Sequence, residues 1–160
     1  MGITAPYESL GALRDRAKDE VGKVVVGQEQ AVELLLVAAL AHGHVLLEGP
    51  PGSAKTLLGR AVAYVLGADF KRVQFTPDTT PTDTVGEGVR GAGEPVFVPG
   101  TVFTNVLLAD EINRASPRTQ SALLQAMQEH HVTVAGMRYD LPHPFHVLAT
   151  QNPLEQEGTY

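Results

Sequence analysis

A short segment rich in glycine and proline, ending in a lysine and a threonine, is the part of this sequence best suited to chemistry. It follows an apolar run and consists of Gly49, Pro50, Pro51, Gly52, Ser53, Ala54, Lys55 and Thr56. Glycines let successive backbone N–H groups point at one anion, and a following helix start adds partial positive charge. Lys55 supplies a compact cation for the β- and γ-phosphates, and Thr56 a hydroxyl for Mg²⁺. The spacing predicts a loop that binds a nucleoside triphosphate with Mg²⁺.

The usual form of such a loop has glycine immediately before the lysine, whereas this chain has Ala54. We expect Ala54 to have helical dihedral angles already, so that its Cβ is not strained. A chance Gly-Pro turn before a helix is the alternative interpretation. The strand-loop-helix context disfavours it, because that context is the one the motif requires.

Two acids follow a second apolar run, residues 106–109, and complement the phosphate loop. Asp110 is placed to hold Mg²⁺, usually through water, since Mg²⁺ keeps much of its hydration shell. Glu111 points differently and is the candidate to polarise the water that attacks the γ-phosphate. Asn152, after a third apolar run, is a candidate to bond that water or the γ-phosphate. The alternatives are a solvated acidic strand end and an asparagine that only turns the chain before Pro153.

The elements that must position these residues alternate between helices and strands. Apolar residues at helical spacing predict four helices. The first covers about 7–21, the second ends near 41, the third follows Lys55, and the fourth follows Ser116, which is its expected N-cap. The stripe predicted to be buried in the second helix is Ala31, Leu34, Leu35, Ala38 and Ala39. Apolar runs predict strands at 44–48, 105–109 and 145–150, and alternation predicts one at 70–75. We expect a hairpin at 132–141, and loop with small elements, such as a short strand at 96–98, over 76–104. An α/β domain with a mostly parallel sheet follows, with ligands bound beyond the strand carboxyl ends.

Composition excludes several classes of protein. The chain has 160 residues, 43% of them hydrophobic and 19% charged, which is typical of one soluble globular domain. No apolar run is long enough to span a bilayer, and no signal peptide is visible. The absence of cysteine excludes disulfides and fits a cytoplasmic protein. A net charge of −6 disfavours nucleic acid as a partner. The histidines lack the accompanying ligand pattern of a metal site.

With these features established, the chain resembles the AAA+ ATPases, and specifically the MoxR group, over nearly its whole length. The segments that carry the resemblance are 25–28, 48–56, 108–115, 120–127 and 149–160. The resemblance implies a three-layer P-loop NTPase (AAA+) core with a parallel sheet of strand order 5-1-4-3-2 and a small hairpin insertion. Alanine before the lysine is common in this group.

The resemblance also implies a role for each motif. Residues 49–57, which include Leu57, are implied to form the Walker A motif, and Asp110 with Glu111 the Walker B motif. Asn152 is implied to be sensor 1. Residues 85–104 are implied to be a helix-2 insertion, and 132–141 the hairpin before sensor 1. The residues implied to lie near the adenine are Val26 and Gly27.

As function, the resemblance implies binding of ATP and Mg²⁺, and ATP hydrolysis in a hexameric ring. Such rings remodel or activate partner proteins in a chaperone-like way, often partners with von Willebrand factor A domains. The first alternative is a nucleotide-binding regulatory or interaction module without turnover. A nucleic-acid-directed AAA+ motor is the second alternative, which the acidic charge disfavours.

We interpret residues 1–160 as a single AAA+ core domain truncated at its C-terminus. The family continues to an arginine finger, a fifth core strand and a helical lid with sensor 2, and Arg114 and Arg118 do not stand at the arginine-finger position. Without strand five, the strand at 44–48 becomes a sheet edge. We therefore expect the isolated chain to bind nucleotide weakly and to hydrolyse it slowly, if at all.

Overall fold

A computed structural model describes residues 9–49, 54–89 and 96–151 of the chain. The helices are α1 (Leu10–Gly22), α2 (Glu29–Leu40), α3 (Lys55–Val65), α4 (Pro81–Val85) and α5 (Pro117–Glu129), with a 3-10 turn at Ile112–Arg114. The strands are β1 (Val45–Glu48), β2 (Phe70–Gln74), β3 (Gly86–Val89), β4 (Val96–Pro99), β5 (Val106–Asp110), β6 (His131–Val134), β7 (Met137–Asp140) and β8 (His146–Gln151). Within these described ranges, no helix has both the length and the apolar character needed to cross a bilayer.

The central sheet is parallel and has the order β1-β8-β5-β2. Numbered as core strands in chain order, this is 1-4-3-2, which confirms the predicted order for the strands that are present. Glu48 lies opposite Gln151, and Gln74 lies opposite Asp110. The carboxyl ends of the four strands therefore share one edge of the sheet, where ligands bind in such folds. In the described sheet, β1 is an outer strand, as predicted.

The sheet separates two hydrophobic clusters, and β5 contributes alternate residues to each. Leu108 packs with the cluster formed with α1, α2 and α3, which includes Val21, Leu35 and Leu58. Leu107 packs on the opposite face with the cluster that includes Leu123 of α5. All four residues from Val106 to Ala109 are buried, because helices or hairpins cover both faces of the strand. This arrangement confirms the predicted three-layer α/β architecture.

Short polar side chains cap the starts of α1, α4 and α5. The Ser116 hydroxyl accepts the backbone N–H of Thr119 at 3.3 Å, and Pro117 is the first helical residue, so the predicted start of α5 is confirmed. The short helix α4 was not predicted within the loop 76–104, although Thr80 and Asp83 form a reciprocal capping box at its start. Hydrogen bonds from the side chain and then the backbone of Thr80 hold the pKa of Asp83 below its usual value.

The stripe predicted for α2 was partly wrong. Val32, Leu35 and Leu36 are the buried residues, whereas Leu34 is 57% exposed. The buried face is the one that packs against α1 and α3. Periodicity reveals the width of an apolar stripe, but the neighbouring helices decide which part of it they cover. The interval 24–28 has no strand pairing and connects α1 to α2.

Two hairpins pack together on the α5 side of the sheet. The predicted turn at Ala135 and Gly136 is confirmed, because both residues have the positive φ angles, 51° and 80°, of a two-residue hairpin turn. The other hairpin pairs β3 with β4. Phe97 of β4 stacks on Tyr139 of β7 with ring centroids 3.8 Å apart, and this contact joins the two hairpins.

A close backbone approach at the base of the β3–β4 hairpin predicts a large stability effect. A Cβ on Gly100 would lie 2.4 Å from both the Gly86 nitrogen and the Thr84 carbonyl oxygen. Backbone atoms cannot rotate away, so we expect Gly100→Ala to lower the free energy of unfolding by more than about 2 kcal/mol. Urea denaturation measures the effect. Gly22→Ala is the matched control, because its Cβ would meet no atom within 4 Å; equal midpoints for the two variants would contradict the prediction.

Candidate functional site

The phosphate-loop segment connects the end of β1 to the start of α3. Glu48 ends β1, and Lys55 is the first residue of α3, followed by Thr56 and Leu57. The strand-loop-helix context predicted for the motif is therefore present. The loop residues between them that lie outside the described ranges are Pro50, Pro51, Gly52 and Ser53.

Ala54 has a conformation that the sequence prediction did not give it. Its φ of 57° and ψ of 19° lie in the left-handed region, so the expectation of helical dihedral angles was wrong. The chain enters α3 through a left-handed turn at this residue, a conformation that glycine adopts freely. For a residue with a Cβ, it costs roughly 1–2 kcal/mol. This cost explains why the usual motif places glycine immediately before the lysine.

The first turn of α3 is suited to an anion. The N–H of Leu58 donates to the Ala54 carbonyl at 2.9 Å, so the three preceding N–H groups have no acceptor within the helix. Ala54 offers no side-chain cap, and no acidic residue lies in this fully described first turn. The backbone N–H groups of this turn and the positive end of the helix dipole therefore favour an anion at the start of α3.

Lys55 folds back over the beginning of the loop. Its Nζ donates a hydrogen bond to the carbonyl oxygen of Gly49 at 2.7 Å, and the contact is partly buried. One ammonium group thus lies beside the first residue of the loop while its backbone begins α3. This position suits a cation that reaches phosphates held by the loop.

Asp110 ends β5 with both carboxylate oxygens engaged. Oδ1 accepts a hydrogen bond from the hydroxyl of Thr150 at 2.5 Å. Oδ2 accepts from Nε and Nη2 of Arg72 at 3.1 and 2.7 Å. Thr150 lies on β8 and Arg72 on β2, so hydrogen bonds from both strands that flank β5 hold the Asp110 carboxylate in place.

Glu111 leaves the strand in a different direction. Its φ of 56° and ψ of 48° are left-handed, and its backbone N–H donates to the Thr150 hydroxyl oxygen at 3.0 Å. Its Oε2 accepts from Nη1 of Arg114 at 3.2 Å. The two adjacent acids therefore contact different basic partners, in agreement with the prediction that they point in different directions.

Side-chain contacts link three strand ends. Asp110 of β5 bonds Thr150 of β8, and Gln151 of β8 donates to the carboxylate of Glu48 at the end of β1. The ends of these three strands therefore lie together at one edge of the sheet. Asn152, the next residue, lies outside the described ranges, and its role stays a prediction.

Val26 and Gly27 lie in the connection between α1 and α2. Val26 is 86% exposed, so the fold leaves its apolar side chain to solvent, and Gly27 has a positive φ of 76°. Their contact with an adenine base stays a prediction that rests on the family resemblance.

Sequence reasoning missed Arg72, Thr150 and Arg114 as partners of the two acids. Arg72 lies in β2 beside Lys71 and Gln74, so its residue type is no special signal, and Thr150 stands near the end of β8. Which strands are neighbours, and in which register, decides that these side chains meet Asp110. That information lies in the tertiary structure.

The oxygen ligands at this edge fit a hydrated Mg²⁺. Carboxylate and hydroxyl oxygens are the ligands it prefers, and Asp110 and Thr56 supply one of each. Moreover, Oδ2 of Asp110 already faces a cation, the half-exposed guanidinium of Arg72. A metal ion at Oδ2 would have to displace this guanidinium, which is exposed enough to move aside.

Comparison with known proteins agrees with this geometry. The sequence pattern of the ATPase family associated with various cellular activities (AAA) matches residues 44–160. The chain is 53% identical to chaperone MoxR1 of Mycobacterium tuberculosis, over 99% of this chain and 42% of that protein. It is 40% identical to the protein MoxR of Methylorubrum extorquens, over 91% of this chain and 44% of the relative.

A solved structure has the same fold. The crystal structure of a candidate ATPase from Cytophaga hutchinsonii superposes with a TM-score of 0.81 at 49% sequence identity, and the match covers 92% of this chain and 46% of that one. The chain thus spans less than half the length of these relatives. A match over most of the chain, together with a parallel sheet that joins the phosphate loop to two acids, shows that the chain belongs to the AAA family of ATPases and is of the MoxR type.

Proposed function

We propose that this chain binds ATP with Mg²⁺ and forms the hydrolytic core of a MoxR-type ATPase. The observation that carries the proposal is the arrangement at the end of β5. Asp110 and Glu111 are held there in different directions by one buried hydroxyl, on the edge of the sheet where β1 leads into the loop and Lys55. In the proposed hydrolysis one carboxylate serves the metal ion and the other orients the attacking water.

Each residue then has a distinct task. Lys55 and the backbone N–H groups at the start of α3 bind the β- and γ-phosphates. Thr56 and Asp110 hold Mg²⁺, which neutralises charge on the phosphate oxygens when it is bound. Glu111 orients a water molecule in line with the γ-phosphorus and accepts its proton as the new P–O bond forms and ADP leaves. Asn152 assists in holding that water or the γ-phosphate.

Turnover is proposed to drive chaperone-like remodelling or activation of a partner protein. The name of the Mycobacterium tuberculosis relative, chaperone MoxR1, supports this purpose. The proposed assembly is a hexameric ring in the cytoplasm, with a von Willebrand factor A domain as one candidate partner. The net charge of −6 disfavours a role on nucleic acid, since sequence-independent binding needs a basic surface.

Titration with a fluorescent ATP analogue, in Mg²⁺ and in EDTA, tests the proposal. We expect saturable binding that unlabelled ATP displaces and that Mg²⁺ strengthens. Absence of binding at millimolar nucleotide would contradict the proposal. Binding with no phosphate release over hours would support the non-hydrolysing module, and a shift of duplex DNA at physiological salt would support the nucleic-acid motor.

A further inference from the structure

Thr150 places one hydroxyl between the two acids at the end of β5. The residue is 1% exposed and lies on β8, one position beyond the paired residues Ala109 and Ala149. Its Oγ1 donates to Oδ1 of Asp110 at 2.5 Å and accepts the backbone N–H of Glu111 at 3.0 Å. A hydroxyl has one proton to donate, so the bond to Asp110 uses it and the bond to Glu111 uses a lone pair.

The two sides of the Asp110 carboxylate differ in rigidity. Thr150 is buried and β-branched, so its χ1 angle is restricted and its hydroxyl is held in place. Arg72, on the other side, has a flexible side chain that is 46% exposed. A cation can therefore replace the Arg72 guanidinium at Oδ2 while Thr150 keeps Oδ1, and thus the plane of the carboxylate, unchanged.

The same hydroxyl supports the backbone of Glu111. A left-handed conformation costs a non-glycine residue of order 1–3 kcal/mol and persists only where the surroundings hold it. The bond from the Glu111 N–H to Thr150 is such a support, and the dihedral angles it holds determine where the Glu111 side chain begins. Both acids are therefore hydrogen-bonded to the same atom of the neighbouring strand, Oγ1 of Thr150.

We propose that Thr150 is a positioning residue of the ATPase site, acting through Asp110 and Glu111. The inference rests on the proposed function. The Thr150 hydroxyl orients Asp110 for the metal and positions the Glu111 carboxylate, and it contributes more to the site than the volume of the Thr150 side chain does. Valine has nearly the same shape without the hydroxyl, whereas serine keeps the hydroxyl without the methyl group, so the two substitutions separate these contributions.

The test compares Thr150→Val with Thr150→Ser in the full chain, using a fluorescent ATP analogue with and without Mg²⁺. In EDTA, we expect the nucleotide affinity of the Thr150→Val variant to stay within about twofold of that of the unsubstituted chain, because the hydroxyl acts on the metal site. The increase in affinity that Mg²⁺ causes should be about tenfold smaller in the variant, the lower end of the usual effect of outer-shell partners on metal binding. Thr150→Ser should restore most of that gain. Should the valine variant not fold, Thr150→Ala removes the same hydroxyl and carries the same expectation.

Thr104→Val is the matched control. Thr104 is also buried, and its hydroxyl donates to the Asp69 carbonyl at 3.0 Å near the opposite end of the sheet. We expect it to lower the unfolding temperature without changing the gain from Mg²⁺. A Thr150→Val variant with the full Mg²⁺ gain, or one that loses affinity equally in EDTA and in Mg²⁺, overturns the inference. If the unsubstituted chain shows no effect of Mg²⁺ on nucleotide binding, the proposed function itself fails.

Discussion

Glu111→Gln is expected to reduce nucleotide hydrolysis by at least about 100-fold, since a positioned general base contributes typically 10²–10⁴-fold. Glutamine has the same shape as glutamate, and its amide oxygen still accepts a hydrogen bond from Arg114. The backbone N–H that bonds Thr150 is unchanged. The substitution therefore removes the basicity of the side chain and preserves its surroundings, so nucleotide affinity should stay within about twofold, because binding rests on the loop, Lys55 and the metal.

Single-turnover phosphate release, with the chain in excess over ATP, measures the hydrolytic effect. Nucleotide titration of the same samples measures binding. Glu33→Gln is the matched control, because Glu33 undergoes the same chemical change in an ion pair with Lys18 between α1 and α2. Equal phosphate release by the Glu111→Gln variant and the unsubstituted chain would remove Glu111 from the mechanism. Absence of turnover in both, with binding intact, would favour the non-hydrolysing module.

Lys55→Met should weaken nucleotide binding by at least about tenfold, because hydrogen bonds to charged groups contribute about 1.5–3 kcal/mol each. Methionine keeps an unbranched side chain of similar length and good helix propensity, so α3 should still begin at residue 55. It removes the ammonium group that now bonds the Gly49 carbonyl and that we propose to bind the β- and γ-phosphates. The variant therefore tests how much the positive charge of Lys55 contributes to nucleotide binding, with the fold preserved.

The dissociation constant of a fluorescent ATP analogue measures this effect, and thermal unfolding without nucleotide reports on the fold. Lys71→Met, at an exposed position of β2, is the charge-matched control and should keep its affinity within about twofold. If both lysine variants lose affinity equally, the effect comes from net charge and the phosphate loop has no special role. If neither does, the proposed site is wrong.

Features that depend only on residues near one another in the chain could be predicted from the sequence. Four consecutive apolar residues before Asp110 predicted a strand, and β5 is a strand in which these residues are buried. Ser116 and Pro117 predicted the start of α5 correctly, because a cap is a contact over three residues. The phosphate-loop context was predictable for the same reason, since strand, glycines and helix are contiguous.

The features that were missed depend on long-range geometry. The contact between Arg72 and Asp110 spans 38 positions and requires that β2 pair with β5 in one particular register. The bond from Thr150 to Asp110 spans 40 positions and requires that β8 lie beside β5. The left-handed turn at Ala54 was missed because it reflects the path of the chain into α3, and the residue type alone favours another conformation.

The position of β8 between β1 and β5 has a consequence for how the protein is made. Pairing of β2 with β5 is available earlier in synthesis, since the pairing of Phe70 with Val106 closes a shorter segment of chain than the pairing of β1 with β8. By contrast, β1 contacts only β8 within the described sheet, and contacts between these regions span 103 positions, as between His44 and Val147. Such distant pairing is slow because a long loop must close first. The nascent chain therefore carries the apolar β1 without a hydrogen-bonding neighbour until β8 emerges from the ribosome, and during that interval it is most exposed to aggregation.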